Sequence, residues 1–113
     1  MLTVLNLKTC ATCRKARRWL DARGFAYETV DIRYLGTRPE LVEQVVDAVG
    51  PAGAVNKRSK AWREQPYKPE LTRDAAVHLI VSDPRVLKRP IFIRDGDVVL
   101  GFDEEAQERL WPR

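Results

Sequence analysis

Residues 2–20 read Leu2-Thr3-Val4-Leu5-Asn6-Leu7-Lys8-Thr9-Cys10-Ala11-Thr12-Cys13-Arg14-Lys15-Ala16-Arg17-Arg18-Trp19-Leu20, and the fold is decided there. Positions 2, 4, 5 and 7 are apolar and the run includes Thr3 and Val4, which favour extended backbone, so residues 2–7 predict a short buried strand. From Cys10 the period changes. Cys13, Ala16, Trp19, Leu20 and Ala22 recur at three- and four-residue steps, while Arg14, Lys15, Arg17, Arg18 and Asp21 fill the other face, which predicts an amphipathic helix. Gly24, just past Arg23, supplies a left-handed stop. Phe25, Tyr27, Thr29, Val30 and Ile32 then make a second strand, and the three elements form a βαβ unit.

Outward from that unit, residues 33–38 read as a polar turn. Pro39 suits a first helical position, and Leu41, Val42, Val45, Val46 and Val49 form the stripe of a second helix ending at Gly50. Residues 51–90 are mainly helical or irregular, without strand signals, with Ser59 capping 60–64 and Thr72 capping 73–81. The last third returns to strands: Ile91-Phe92-Ile93 and Val98-Val99-Leu100 flank Asp95-Gly96, a dipeptide suited to a type I′ hairpin turn. Asp103 caps a terminal helix that turns Ala106 and Leu110 inward. The predicted class is α/β, in the order β-α-β, a helical insertion over about 39–87, then β-β-α, within one domain spanning 1–113.

The 113 residues are 44% apolar and 32% charged, which excludes a collagenous or low-complexity chain. No apolar run approaches the roughly 20 residues needed to span a bilayer. The N-terminus has neither a charged leader nor a long apolar stretch, so a cytoplasmic location is expected. The net charge of +4 favours anionic partners without naming one. The basic residues at 14, 15, 17 and 18 read as a solvated helix face, and no motif points to direct nucleic-acid binding.

Two cysteines are too few for a disulfide scaffold, and a bridge between Cys10 and Cys13 closes too small a loop to add much stability. Their value is therefore chemical. A Cys-x-x-Cys placed between a strand and the first turn of a helix is where a redox thiol belongs, because unsatisfied amides and the positive helix end favour thiolate over thiol. Arg14 and Lys15 are expected to add favourable charge. Cys10 is then the more acidic thiol, and Cys13, one turn deeper, the resolving one. The plain alternative makes Cys13 a small helix residue and Cys10 an incidental turn cysteine.

A zinc site lacks ligands, since the pair is joined only by His78, which reads as a partly buried structural histidine. No metal and no bound cofactor are expected. Arg58 and Arg89 each read either as solvated cations or as anion-binding guanidinium groups. Pro90 opens the hairpin with its isomer undetermined. Trp19, Trp62 and Trp111 read as core residues.

Five segments together carry a resemblance over nearly the whole chain. They are Cys10-Ala11-Thr12-Cys13-Arg14-Lys15-Ala16, the second strand ending at Asp31-Ile32-Arg33, Asn56-Lys57-Arg58-Ser59, Lys88-Arg89-Pro90-Ile91, and Gly101-Phe102-Asp103-Glu104-Glu105. The chain resembles the arsenate reductase (ArsC), Spx and MgsR-like family. The resemblance implies a thioredoxin-like fold with a helical insertion and a mixed four-stranded sheet. In the arsenate reductases the cysteine matched by Cys10 attacks arsenate, arginines matched by Arg58 and Arg89 hold the oxyanion, and glutathione with glutaredoxin regenerates the thiol. Thioredoxin is a further redox partner of the same kind, glutathione is the implied co-substrate, and Pro90 matches the cis-proline beside the site. The chain departs from those reductases in having Cys13 where they have serine, Asn6 where they have histidine, and Gly101-Phe102-Asp103 where a third arginine follows the glycine. The Spx branch has both cysteines, Arg-Ser and Arg-Pro-Ile segments, and an ending similar to Leu110-Trp111-Pro112-Arg113. It implies a redox switch that binds the RNA polymerase α C-terminal domain.

Overall fold

The structure, a computed structural model, describes residues 1–112; Arg113, the last residue of the 1–113 domain and of the Spx-like ending, lies outside the described residues. The chain forms two compact units. One is Met1–Asp31 with Arg89–Arg113, and the other is Ile32–Lys88.

In the first unit, β1 (Leu2–Asn6), α1 (Ala11–Ala22) and β2 (Tyr27–Asp31) are followed, after the second unit, by β3 (Ile91–Arg94), β4 (Asp97–Leu100) and α6 (Glu104–Leu110). The sheet order is β2-β1-β3-β4. β1 runs parallel to β2, and β3 is antiparallel to both β1 and β4, so the sheet is mixed. Alternation along the strands selects one face: Leu2 and Val4 of β1, Phe92 of β3 and Val99 of β4. That face packs with Ala16 and Leu20 of α1 and with Phe102, Ala106 and Leu110, and Trp19, Phe25 and Tyr27 border the cluster. Leu5, Ile91, Ile93 and Val98 on the opposite face are also buried.

Local signals place these elements. Gly24 has φ 71° and stops α1, while Asp95 (φ 50°) and Gly96 (φ 82°) both take the left-handed backbone of a type I′ turn. Asp103 accepts the Ala106 amide at 2.8 Å at the start of α6.

In the second unit a 3₁₀ turn over Ile32–Thr37 leads to α2 (Pro39–Val49), α3 (Pro51–Ala54), α4 (Lys60–Arg63), α5 (Arg73–Ser82) and a second 3₁₀ turn at Pro84–Val86. Pro39 begins α2, as its fixed φ favours. Ser59 accepts the Trp62 amide at 3.1 Å and Thr72 the Ala75 amide at 3.2 Å, so both predicted caps form. α2 packs on α5 through Val42, Val45 and Val46 on one helix and Ala76, Leu79 and Ile80 on the other. On the surface, Arg73 of α5 donates to Asp47 of α2 at 2.6 Å.

Several expectations change. Residues 33–38 are mostly a 3₁₀ turn that buries Leu35 completely, because the tighter winding turns one apolar side chain inward. Residues 51–90 hold one extended contact, an antiparallel bridge between Val55 and Leu87. His78 is exposed on α5, since Ala76, Leu79 and Ile80 take the inward positions. Ala22 is exposed, and Trp111, at 49% exposure, lies past the last turn of α6 with its ring edge-on to Phe25. No helix among the described residues is long and apolar enough to cross a membrane.

Phe92 is fully buried at the centre of the sheet cluster. Phe92→Ala is expected to lower the unfolding free energy by about 3–5 kcal/mol, and Thr72→Ala by about 1 kcal/mol through loss of a cap. Urea denaturation followed by circular dichroism checks both, and equal losses would overturn the ranking.

Candidate functional site

β1 ends at Asn6, and the chain needs only four residues to reach the first turn of α1. Within that link the Cys10 amide donates to the Leu7 carbonyl at 3.0 Å, which turns the backbone into the helix. Cys10 is the N-cap, with φ −79° and ψ 117°, and its carbonyl accepts the Arg14 amide at 3.0 Å. The Cys10 sulfur takes the place that a serine or aspartate oxygen usually fills: it accepts the Cys13 amide at 3.3 Å.

The two thiols are free and unequal. Cys10 is half-buried and Cys13 fully buried. Burial alone pushes the Cys10 thiol up, but hydrogen bonds from the Cys13 side chain and amide, together with the charge and hydrogen bond of Arg89, outweigh it and hold the thiol below its ordinary value. Burial pushes the Cys13 thiol up to about 12, and its hydrogen bond to Cys10 and the nearby Cys10 charge push the same way. The pair therefore favours the anion on the outer sulfur and holds the proton on the inner one.

Arg89 is the cation at this thiol, although it lies far away in sequence. It comes close because β3 pairs with β1 and so brings the residues that precede β3 to the end of β1 where Cys10 lies. The Arg89–Pro90 peptide bond is cis and Pro90 is buried, with its carbonyl accepting the Gly101 amide at 2.9 Å. The expected assistance from Arg14 takes another form, since its guanidinium donates to the Lys8 carbonyl at 3.1 Å and ties down the link before Cys10. Lys15 is exposed. The structure thus brings together Cys10, Cys13, Arg89 and Pro90. Arg58 lies in the second unit, exposed on a turn where the Asn56 side chain accepts the Arg58 amide at 3.1 Å and the Ser59 hydroxyl donates to the Asn56 carbonyl at 2.7 Å.

Reading Arg17 as part of a solvated face missed an interaction. Arg17 is half-buried, and its guanidinium donates to the side-chain oxygen of Asn6, the buried polar residue at the end of β1. This contact fastens the strand end to α1 across the cysteine link. Its signal in the sequence is an asparagine interrupting an apolar strand, together with an arginine four residues after Cys13 on the same helix face. Among the described residues no three His, Cys, Asp or Glu side chains form a metal-holding group.

The ArsC family model matches residues 5–110. The chain belongs to the ArsC family. Its similarity extends to the global transcriptional regulator Spx of Streptococcus agalactiae, at 28% identity over the whole chain and 85% of the relative. Among solved structures it is similar to the YffB (PA3664) protein, at TM-score 0.88 and 26% identity, covering 96% of this chain and 97% of that one. A possible arsenate reductase from Streptococcus mutans matches at TM-score 0.77 and 27% identity over 97% of each chain. The predicted thioredoxin-like fold of the ArsC family, with its mixed four-stranded sheet, is the fold observed. The family is redox-related.

The geometry at Cys10 sets the sign of its pH response. Because its thiol is held low, the alkylation rate of Cys10 with iodoacetamide is expected to rise with pH through a midpoint below that of an unperturbed cysteine. Arg89→Ala and Cys13→Ala are both expected to move that midpoint upward, because each removes a partner that favours the thiolate. An unchanged midpoint in both variants would refute this account of the site.

Proposed function

We propose that this ArsC-family protein is a thiol–disulfide oxidoreductase in which Cys10 is the nucleophile and Cys13 the resolving thiol. The observation that carries this reading is the Cys13 amide donating to the Cys10 sulfur at 3.3 Å, with the outer thiol held low and the inner one held high. The Cys10 thiolate attacks one sulfur of a substrate disulfide. A Cys10–substrate S–S bond forms, the substrate S–S bond breaks, and the departing thiolate takes up a proton. Cys13 gives its proton to solvent and attacks the Cys10 sulfur. The Cys10–Cys13 bond forms and the second substrate thiolate leaves. The substrate has gained two electrons, and either two molecules of glutathione, directly or through glutaredoxin, or one reduced thioredoxin dithiol returns them to the pair. Arg89 stabilises anionic sulfur at Cys10, and Arg58, in the second unit, is an exposed guanidinium suited to an anion. The reducing cytoplasm is the compartment in which such a pair rests as free thiols.

A disulfide fits the site better than arsenate does. Phe102, in the segment where the reductases have their third arginine, is buried in the apolar cluster, and Asn6 is occupied by Arg17. Wild-type protein is expected to reduce a glutathione mixed disulfide when coupled to glutathione and glutathione reductase, and to show far less turnover of arsenate. Cys10→Ser is expected to abolish the disulfide activity. Cys13→Ser is expected to accumulate a glutathione adduct on Cys10 that mass spectrometry detects. Mild oxidation of wild type is expected to remove two hydrogens and join Cys10 to Cys13 in the peptide map. If oxidation gave neither that internal disulfide nor a Cys10 adduct, the redox assignment would fall.

The similarity to Spx over the whole chain favours a second reading, a redox-gated regulator that binds the RNA polymerase α C-terminal domain. Pull-down with that domain under reducing and oxidising conditions tests it. Binding that changes with the state of the Cys10–Cys13 pair supports the regulator, and absence of binding in both states removes it.

A further inference from the structure

A second cleft lies in the first unit, lined by residues that the thiol chemistry does not use. Its volume is about 310 Å³, and Trp19, Arg23, Glu104, Gln107, Glu108 and Trp111 form its walls. Phe25 links the two indoles. Trp19 stacks on Phe25 with ring centroids 5.9 Å apart, and Trp111 meets the same Phe25 edge-on at 5.2 Å. Glu104 and Glu108, one helical turn apart on α6, also line the cleft and present like charges to it. That arrangement costs stability unless a cation relieves it. Among the described residues neither carboxylate has an ion-pair partner, and Arg109 of the same helix is engaged by Asp97 at 3.7 Å. In a chain of net charge +4, this is an acidic patch beside electron-rich rings.

One cation already shows what the wall accepts. The Arg23 guanidinium lies 4.1 Å from the centre of the Trp19 ring and donates to the Trp19 carbonyl at 3.4 Å, without reaching either glutamate. An indole face attracts a cation through its quadrupole, and two indoles lining one cleft with two carboxylates form the chemistry that selects guanidinium and alkylammonium groups. Trp111 remains 49% exposed, an unusual amount for a tryptophan that only packs.

We propose that this cleft binds an organic cation, a guanidinium or alkylammonium group, held against Trp19 and Trp111 with its charge met by Glu104 and Glu108. Arg23 is the internal competitor, which swings off Trp19 when the ligand enters. The group belongs either to a small free cation or to the basic side chain of a polypeptide. The chemistry is the same, and the assay separates the sources.

Tryptophan indole N–H resonances report the site directly. Trp19 and Trp111 line the cleft, whereas Trp62 lies in the other unit and serves as the internal control. Titration with tetramethylammonium and with argininamide is expected to give saturable shifts at Trp19 and Trp111 and none at Trp62. The neutral isostere 3,3-dimethyl-1-butanol is expected to give none at any of them. Affinity should fall as salt rises. Trp111→Ala is expected to weaken binding by about two- to fivefold, and Arg23→Gln to tighten it by a similar factor because the competitor is gone. Glu104→Gln combined with Glu108→Gln should weaken it, with the fold retained in the circular dichroism spectrum. If a tetra-arginine peptide binds more tightly than its four side chains account for, the ligand is a basic chain segment; if not, it is a free small cation. Non-saturable shifts, equal shifts from the neutral isostere, or no tightening in Arg23→Gln would overturn the proposal.

Discussion

The hydrogen bond from the Cys13 amide to the Cys10 sulfur is the constraint on which the rest of the site depends. A helix start leaves amides without partners, and most chains satisfy them with oxygen. Here a sulfur does it. That choice forces the chain to leave β1 at Asn6, turn through the Leu7 carbonyl and enter α1 with Cys10 still extended. Arg14 on the Lys8 carbonyl and Arg17 on Asn6 hold the link from both sides. A sulfur cap depends on this rigidity, because an amide aimed elsewhere removes one of the partners that hold the thiol low.

The fold supplies the remaining charge through strand order. Placing β3 next to β1, rather than at an edge, carries the Arg89–Pro90 segment to the end of the sheet where Cys10 lies. Phe92, two residues on from Pro90, anchors that strand in the apolar cluster, so the packing that stabilises the first unit also fixes where the guanidinium stands. Core and chemistry are coupled through a few residues of β3.

Local features were legible in the sequence because their causes are local. Ser59, Thr72 and Asp103 cap helices as short polar side chains do, and Asp95-Gly96 turns the hairpin because both residues tolerate positive φ. The Cys10–Cys13 spacing at a strand-to-helix junction could be read for the same reason. What escaped depends on contacts between distant segments. Leu35 sits in a segment that reads as polar, yet a 3₁₀ turn buries it. Arg17 belongs to a run of cations, and only the position of Asn6 distinguishes it from its neighbours. Arg89, taken by itself, read as a solvated surface charge until strand pairing placed it. Trp111 and His78 failed in the opposite direction: apolar or aromatic character suggested burial, but Trp111 lies past the end of α6 and His78 on the exposed side of α5.

The inequality of the two sulfurs also explains how one can follow the other. While Cys10 is a thiolate, Cys13 donates to it and feels its charge, and both effects add to burial in holding the inner proton. Once Cys10 is bonded to another sulfur it is neutral and a poorer acceptor. Two of the three causes that raise Cys13 then vanish, leaving burial, while the Leu7 backbone and Arg89 continue to favour its anion. In the proposed exchange the inner thiol is thus held inert while Cys10 is unspent and becomes easier to ionise once Cys10 is bonded to another sulfur. Its low reactivity in the resting state therefore suits it to a two-step exchange, because a Cys13 as acidic as Cys10 would compete for the substrate before there was anything to resolve.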